Sequence, residues 1–112
     1  MEEITFKVQG SEIEPYEVTF IKTSTNNLSA YCTCKAGKNG QNCKHRFSIF
    51  EGKQQNIISA NIEDVKIISS WLVGTDIEIY MHAMRDLENE KKRVENELSS
   101  IKKKLAKAMY HG

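Results

Sequence analysis

The chain has 112 residues, of which 28% are charged, and its formal net charge is +1. This length suits one small domain with an extension, and no apolar run approaches membrane-spanning length. Near-neutrality excludes a general attraction to nucleic acid, although the stretch between Glu17 and Glu51 holds five basic residues and no acid.

Three strands are predicted in the first third of the chain. Residues 3–9 and 15–23 alternate apolar and polar side chains, and residues 28–34 place Cys32 and Cys34 on one face. Because short turns join the strands, we expect a three-stranded antiparallel meander with one buried face.

All three cysteines lie close to a histidine, in the two pairs Cys32-x-Cys34 and Cys43-x-His45. Thiolate and imidazole are the preferred ligands of tetrahedral zinc. Four protein ligands complete a structural site and leave no open position for a catalytic water. The sequence therefore predicts one structural zinc ion per chain.

The spacing of the second pair constrains the local structure. Residues two apart on a helix point to nearly opposite sides, so Cys43 and His45 must straddle a helix start, with Asn42 as the expected N-cap. We expect a short helix over residues 43–51, clamped by the metal to the third strand across a glycine-containing loop over residues 35–42.

Three alternatives to zinc remain at this stage. A disulfide would leave one of three cysteines unpaired, free core cysteines are common but seldom cluster with a histidine, and a redox Cys-x-x-Cys motif is absent. No secretory signal is recognisable in the sequence, so we expect an intracellular, reducing compartment, the cytoplasm or nucleus.

The order Cys-x-Cys, spacer, Cys-x-His resembles the SWIM-type zinc finger over roughly residues 3–52. Tyr31 before the first pair and the apolar Phe47, Ile49 and Phe50 after the second also fit that pattern. The resemblance implies a zinc-binding module that interacts with DNA or with other proteins.

The segment after this module is predicted to be a connector with one helix. Ile57 and Ile58 could form a short added strand, and Asn61 could cap a helix over residues 62–73. This helix carries Trp71, which we expect to be an anchor in the core or in a subunit interface, with base stacking as the alternative.

A long helix is predicted from Thr75 onward, because Thr75 and Glu78 form a capping box and no glycine or proline interrupts the chain before Gly112. Its apolar seam repeats at alternating spacings of three and four, which is typical of a coiled coil. The seam consists of Ile77, Tyr80, Met84, Leu87, Lys91, Val94, Leu98, Ile101, Leu105 and Ala108.

We expect a homo-oligomer, a dimer, through residues 84–108, with a solvated single helix as the alternative. The charges beside the seam cancel in a parallel pair. They attract in an antiparallel pair displaced by one heptad, where Glu88 faces Lys102 and Glu90 faces Lys104.

The predicted fold is α+β, with a small three-stranded antiparallel sheet, a zinc-clamped short helix, a second helix and a long C-terminal coiled-coil helix. Residues 1–53 form the SWIM-like module, residues 54–74 the linker and connecting helix, and residues 75–112 the coiled coil.

Function is expected to be binding rather than catalysis, since no phosphate loop, nucleophile elbow or carboxylate pair is present in the sequence. The first hypothesis is nucleic-acid binding, DNA above all, through Lys35, Lys38, Lys44 and Arg46. The second is an adaptor whose zinc module or coil binds a larger protein. A redox-active thiol enzyme is a weaker third hypothesis, which closed zinc ligation opposes.

Overall fold

The computed structural model describes the backbone of residues 1–111 and the side chains of residues 1–110, so the side chain of His111, expected at the surface or in packing, lies outside it. The elements in chain order are β1 (Glu2–Val8), β2 (Tyr16–Ser24), β3 (Asn27–Cys32), α1 (Lys35–Lys38), α2 (Lys44–Phe50), a 3₁₀ turn (Ile62–Asp64), α3 (Val65–Leu72) and α4 (Asp76–His111). The predicted α+β class is confirmed.

The three strands form one antiparallel sheet in the order β1-β2-β3, as the alternation of side chains predicts. The register pairs Phe6 with Val18 and Phe20 with Ala30. Because these pairs share one face, the sheet presents a continuous apolar surface to the helices, and Phe6, Val18 and Phe20 are fully buried.

Aromatic packing joins this sheet face to α2. The Phe20 ring lies 6.0 Å from Phe6 and 5.1 Å from Phe50 between ring centroids, and both pairs are edge-to-face. Ile49, also on α2, is buried beside them. This packing places Phe50 in the core, and it positions α2 over the sheet.

The predicted loop over residues 35–42 contains a one-turn helix, α1, and β3 ends two residues earlier than expected. Cys34 is extended and caps α1, with its Sγ accepting a hydrogen bond from Gly37 N over 3.3 Å. A Cβ at Gly37 would lie 2.3 Å from the carbonyl oxygen of Cys32, so only glycine allows the turn to sit against the strand end.

The connector runs beside the outer edge of β1. Ile57 forms an isolated bridge with Val8, and Ile58 N donates to Lys7 O over 2.8 Å, so the suggested added strand is reduced to one bridge. Asn61 does not cap a helix with its side chain, because its Nδ2 donates to Thr5 O over 2.9 Å. The helix α3 instead begins at Val65, after the 3₁₀ turn.

The helix α3 contributes the second part of the core. Its buried residues are Val65, Ile68, Trp71 and Leu72. Trp71 is 7% exposed, which agrees with the expected role as an anchor in the core.

The predicted cap of α4 forms with one difference. Thr75 is buried, and its Oγ1 donates to Leu72 O over 2.7 Å and accepts from Glu78 N over 3.3 Å. Glu78 Oε1 accepts from Gly74 N over 3.2 Å rather than from the amide of the cap residue. Gly74 has a φ of +80°, a conformation that favours glycine between two helices.

The chain divides into two compact units, one from Met1 to Glu78 and one from Ile79 onward. The second unit is a single helical rod, and the whole of α4, with 36 residues, is about 54 Å long at 1.5 Å per residue. Every residue from 85 to 110 is exposed. Within the described residues, no helix is long and apolar enough to cross a membrane.

Candidate metal centre

Four residues from three elements converge on one point of the first unit. Cys32 is the last residue of β3, Cys34 caps α1, Cys43 caps α2, and His45 is the second residue of α2. The predicted entry of Cys43 into the helix is correct, but the cap itself is Cys43 and not Asn42. The reason is that Cys43 is still extended, with φ −134° and ψ 148°, immediately before the first helical residue.

The side chains of these residues bring together the donor atoms of a tetrahedral site. All four ligand atoms lie within 4.8 Å of one another, and Cys32 Sγ lies 3.7 Å from His45 Nδ1. In a zinc–thiolate tetrahedron the ligand atoms are about 3.8 Å apart, because Zn–S bonds are about 2.3 Å. The measured distances are therefore short enough for the four atoms to hold a metal ion. The three cysteines form no disulfide and are buried.

In the metal-free cluster, burial disfavours the negatively charged form of the Cys32 thiol. It raises the pKa of the Cys32 thiol from its usual 9.0 to about 12, and the neighbouring thiols of Cys43 and Cys34 add to that rise. A thiolate here requires a compensating positive charge, which a bound cation supplies.

Arg46 provides a second source of positive charge beside the cluster. Its Nε donates to Cys43 Sγ over 3.2 Å, its Nη1 donates to Ala30 O over 3.1 Å, and its Nη2 donates to Gln41 O. Burial alone would raise the pKa of Cys43, but the backbone and side-chain hydrogen bonds from Arg46 outweigh it and lower that pKa. Arg46 thus favours the thiolate and joins the loop before α2 to β3.

His45 is oriented by the turn between β1 and β2. Its ring lies 4.8 Å from the Tyr16 ring between centroids, tilted by 47°. A Cβ at Gly10 would lie 3.4 Å from His45 Nε2 and 2.2 Å from the Tyr16 ring. With Nε2 toward this glycine, Nδ1 faces the thiols. Burial, with a smaller contribution from the Lys44 charge, lowers the pKa of His45 and so favours the neutral, ligating form.

The basic residues predicted to contact nucleic acid occupy three different environments. Lys35 and Lys38 line an open cleft of about 410 Å³ that also contains Glu12. Lys44 lines a separate cleft of about 460 Å³ on the side of His45. Arg46 faces the cluster, where its guanidinium makes three hydrogen bonds.

Sequence reasoning missed the roles of Arg46 and Gly10. The spacing from Cys43 to Arg46, three residues on one helix face, was a local signal for the first contact. Gly10 carried no such signal, because its neighbours Tyr16 and His45 come from other elements.

Comparisons of the chain with protein-family models, with curated proteins and with solved structures found no match. Its function is therefore inferred from the site itself.

Proposed function

We propose that the chain is a zinc-binding interaction module of SWIM type, in which Cys32, Cys34, Cys43 and His45 hold one structural zinc ion. The observation that carries this proposal is the convergence of four buried or half-buried donor atoms within 4.8 Å. Three sulfurs and one nitrogen are a typical donor set for structural zinc, and softer thiolate ligands disfavour magnesium or calcium.

The donor set also supports a non-catalytic role in a reducing compartment, the cytoplasm or nucleus. A zinc ion with four protein ligands has no open position for water or substrate. Thiolates that are not oxidised can remain metal ligands.

The first candidate target is nucleic acid, probed as DNA. Lys35 and Lys38 are exposed and lie on one cleft, next to the turn that carries Cys34, so the metal would hold the cationic turn rigid. Glu12 in the same cleft opposes a phosphate there, and Arg46 already has partners within the module. The lysines therefore carry this proposal, and binding should be weak.

Fluorescence anisotropy with labelled single-stranded and duplex DNA tests this target. The double variant Lys35→Glu, Lys38→Glu should weaken binding at about 50 mM salt without loss of zinc, and the salt slope should fall. The matched control is Lys7→Glu with Lys66→Glu, which makes the same charge change at two other exposed lysines. Equal affinity of both double variants would refute binding through this cleft.

The second candidate function is an adaptor for a larger protein. One observation favours it over nucleic acid, namely the acid Glu12 within the lysine cleft. A pull-down from native extract with and without nuclease separates the two, because a nuclease-resistant protein partner supports the adaptor and a nuclease-sensitive one supports nucleic acid.

Self-association through α4 is part of both proposals. Leu87, Val94, Leu98, Ile101 and Leu105 are 52–63% exposed, and a stripe of this length favours a coiled coil over a solvated helix. Light scattering should give a dimer for the intact chain and a monomer for Leu98→Asp, which places a charge in the seam. Ser99→Asp, one residue outside the seam, is the matched control.

A further inference from the structure

The residues in and beside the apolar stripe of α4 favour one direction, parallel or antiparallel, for a helix that pairs with it. Within the described residues nothing covers the helix from residue 85 to 110. We propose that the occupant is a second copy of this chain, paired antiparallel, with Leu87 opposite the partner's Leu105. This inference rests on the self-association proposed above and specifies its geometry.

The heptad positions follow from the spacing of the stripe. The residues at position a are Met84, Lys91, Leu98 and Leu105, and those at position d are Leu87, Val94, Ile101 and Ala108.

Lys91 is the first reason for the antiparallel direction. In a parallel, in-register pair, a residues meet their own copies, so Lys91 would face the partner's Lys91 in the middle of the seam. In the antiparallel pair, a residues meet d residues, and Lys91 faces the partner's Ile101. Its Nζ already lies 3.9 Å from Glu95 Oε1 on the same helix, so the ammonium leaves the seam while its alkyl stem packs there.

The flanking charges are the second reason. In the antiparallel pair Glu88 faces the partner's Lys102 and Glu90 faces the partner's Lys104, each twice by symmetry, while Glu95 and Glu97 each meet their own copy once. In the parallel pair Glu90 faces the partner's Glu95 and Glu97 faces the partner's Lys102. The attractive contacts therefore outnumber the repulsive ones only in the antiparallel pair.

The end of the helix is the third reason. Between Leu98 and Gly112 the sequence holds no acid, and its four lysines are Lys102, Lys103, Lys104 and Lys107. A parallel pair would bring eight of these ammonium groups together within two turns. An antiparallel pair places them beside the acidic segment that includes Asp86, Glu88 and Glu90.

The direction of pairing sets the distance between the two points at which the metal-binding modules join the coil. The antiparallel register is centred on residue 96, so the two helices begin at Asp76 about 60 Å apart at 1.5 Å per residue. In a parallel pair they would begin about 10 Å apart, the usual distance between packed helix axes. The antiparallel coil is thus a spacer between two binding modules and not a clamp that sets them side by side.

Disulfide mapping on the full-length, zinc-loaded protein tests the direction. Leu87→Cys and Leu105→Cys are oxidised separately and as a mixture, with the parent chain as the control for its native cysteines. We expect a cross-link between residues 87 and 105 in the mixture, identified by peptide mass, and none within either variant alone. A cross-link from Cys at 87 to Cys at 87 would overturn the antiparallel arrangement.

A charge-inversion variant gives a second readout that leaves the seam intact. Glu88→Lys with Glu90→Lys should raise the dimer dissociation constant at least about tenfold in the antiparallel pair, because four attractive contacts become repulsive. The same variant should tighten a parallel pair, since Lys at 90 would then face the partner's Glu95. Tighter association overturns the direction, whereas a monomeric parent chain overturns the self-association itself.

Discussion

The guanidinium of Arg46 donates a hydrogen bond from Nε to Cys43 Sγ over 3.2 Å, and it also binds the carbonyl oxygens of Ala30 and Gln41. Arg46 therefore connects one candidate ligand to the strand that carries another, Cys32. Groups that orient metal ligands commonly change metal affinity by about 10–100-fold when they are replaced.

We accordingly expect Arg46→Met to weaken zinc binding by about 10-fold or more, since it keeps the stem but removes all donors. Arg46→Lys should lose part of this affinity, because an ammonium cannot reproduce the planar fork that reaches several acceptors. Competition with a chromogenic chelator measures the effect. Lys66→Met, at an exposed lysine of α3, is the control, and equal affinities of the two Met variants would contradict the role of Arg46.

Gly10→Ala should disturb the centre from a distance in sequence. The added Cβ would meet the Tyr16 ring at 2.2 Å, so the ring must move, and the His45 imidazole in contact with it should move too. We expect a loss of about 1–3 kcal/mol in the free energy of unfolding, typical of overpacking, and a changed visible spectrum of the cobalt-substituted protein.

Gly40→Ala is the contrasting variant for that experiment. Its φ of +71° strains an alanine, but its Cβ meets nothing within 4 Å. It should cost stability through the backbone alone and leave the cobalt spectrum unchanged. Identical spectra for both variants would show that Gly10 does not position the histidine.

The metal-free protein should have a stability maximum between the titrations of His45 and Cys32. The pKa of His45 is lowered from 6.5 in the folded chain, so stability present above that value is lost as the pH falls. The pKa of Cys32 is raised from 9.0 to about 12, so stability present below pH 9 is lost as the pH rises through that interval. Urea unfolding of chelator-treated protein across this range measures both limits.

Zinc should flatten the alkaline limb, because bound thiolates have already lost their protons. Acid should release the ion, because protons compete with zinc for the thiolate and imidazole ligands. The lowered pKa of Cys43 has the opposite sign and adds stability as the pH rises toward 9, so the alkaline loss is expected above pH 9. A metal-free chain whose stability does not fall between pH 9 and pH 11 would contradict the burial of the Cys32 thiol.

Much of the fold followed from local patterns. The alternation in β1 and β2 and the cap at Thr75 are signals that neighbouring residues create, and the structure reproduces them within one or two residues. The one-turn helix α1 was not predictable from periodicity, because four residues complete only one turn. It depends on Gly37 lying against the end of β3, which is a tertiary contact.

In the candidate site, too, one part could be predicted from local sequence and another part could not. The spacing of the cysteines and His45 predicts the ligand set, and the structure brings those four residues together. The surroundings could not be read from spacing alone. The bond from Arg46 to Ala30 and the approach of Gly10 to His45 join segments that only the folded sheet brings into contact.

The central proposal, one structural zinc ion held by the four residues, is tested most directly by native mass spectrometry with elemental analysis. Protein purified under reducing conditions should carry one zinc ion per chain. Cys43→Ser should lose the metal and much of the order of the first unit, because structural zinc binding is itself folding free energy. Thr33→Ser, which keeps a hydroxyl between Cys32 and Cys34, should retain the ion. A metal-free parent chain after zinc supplementation, or a Cys43→Ser chain that keeps both its zinc and its stability, would contradict the proposal.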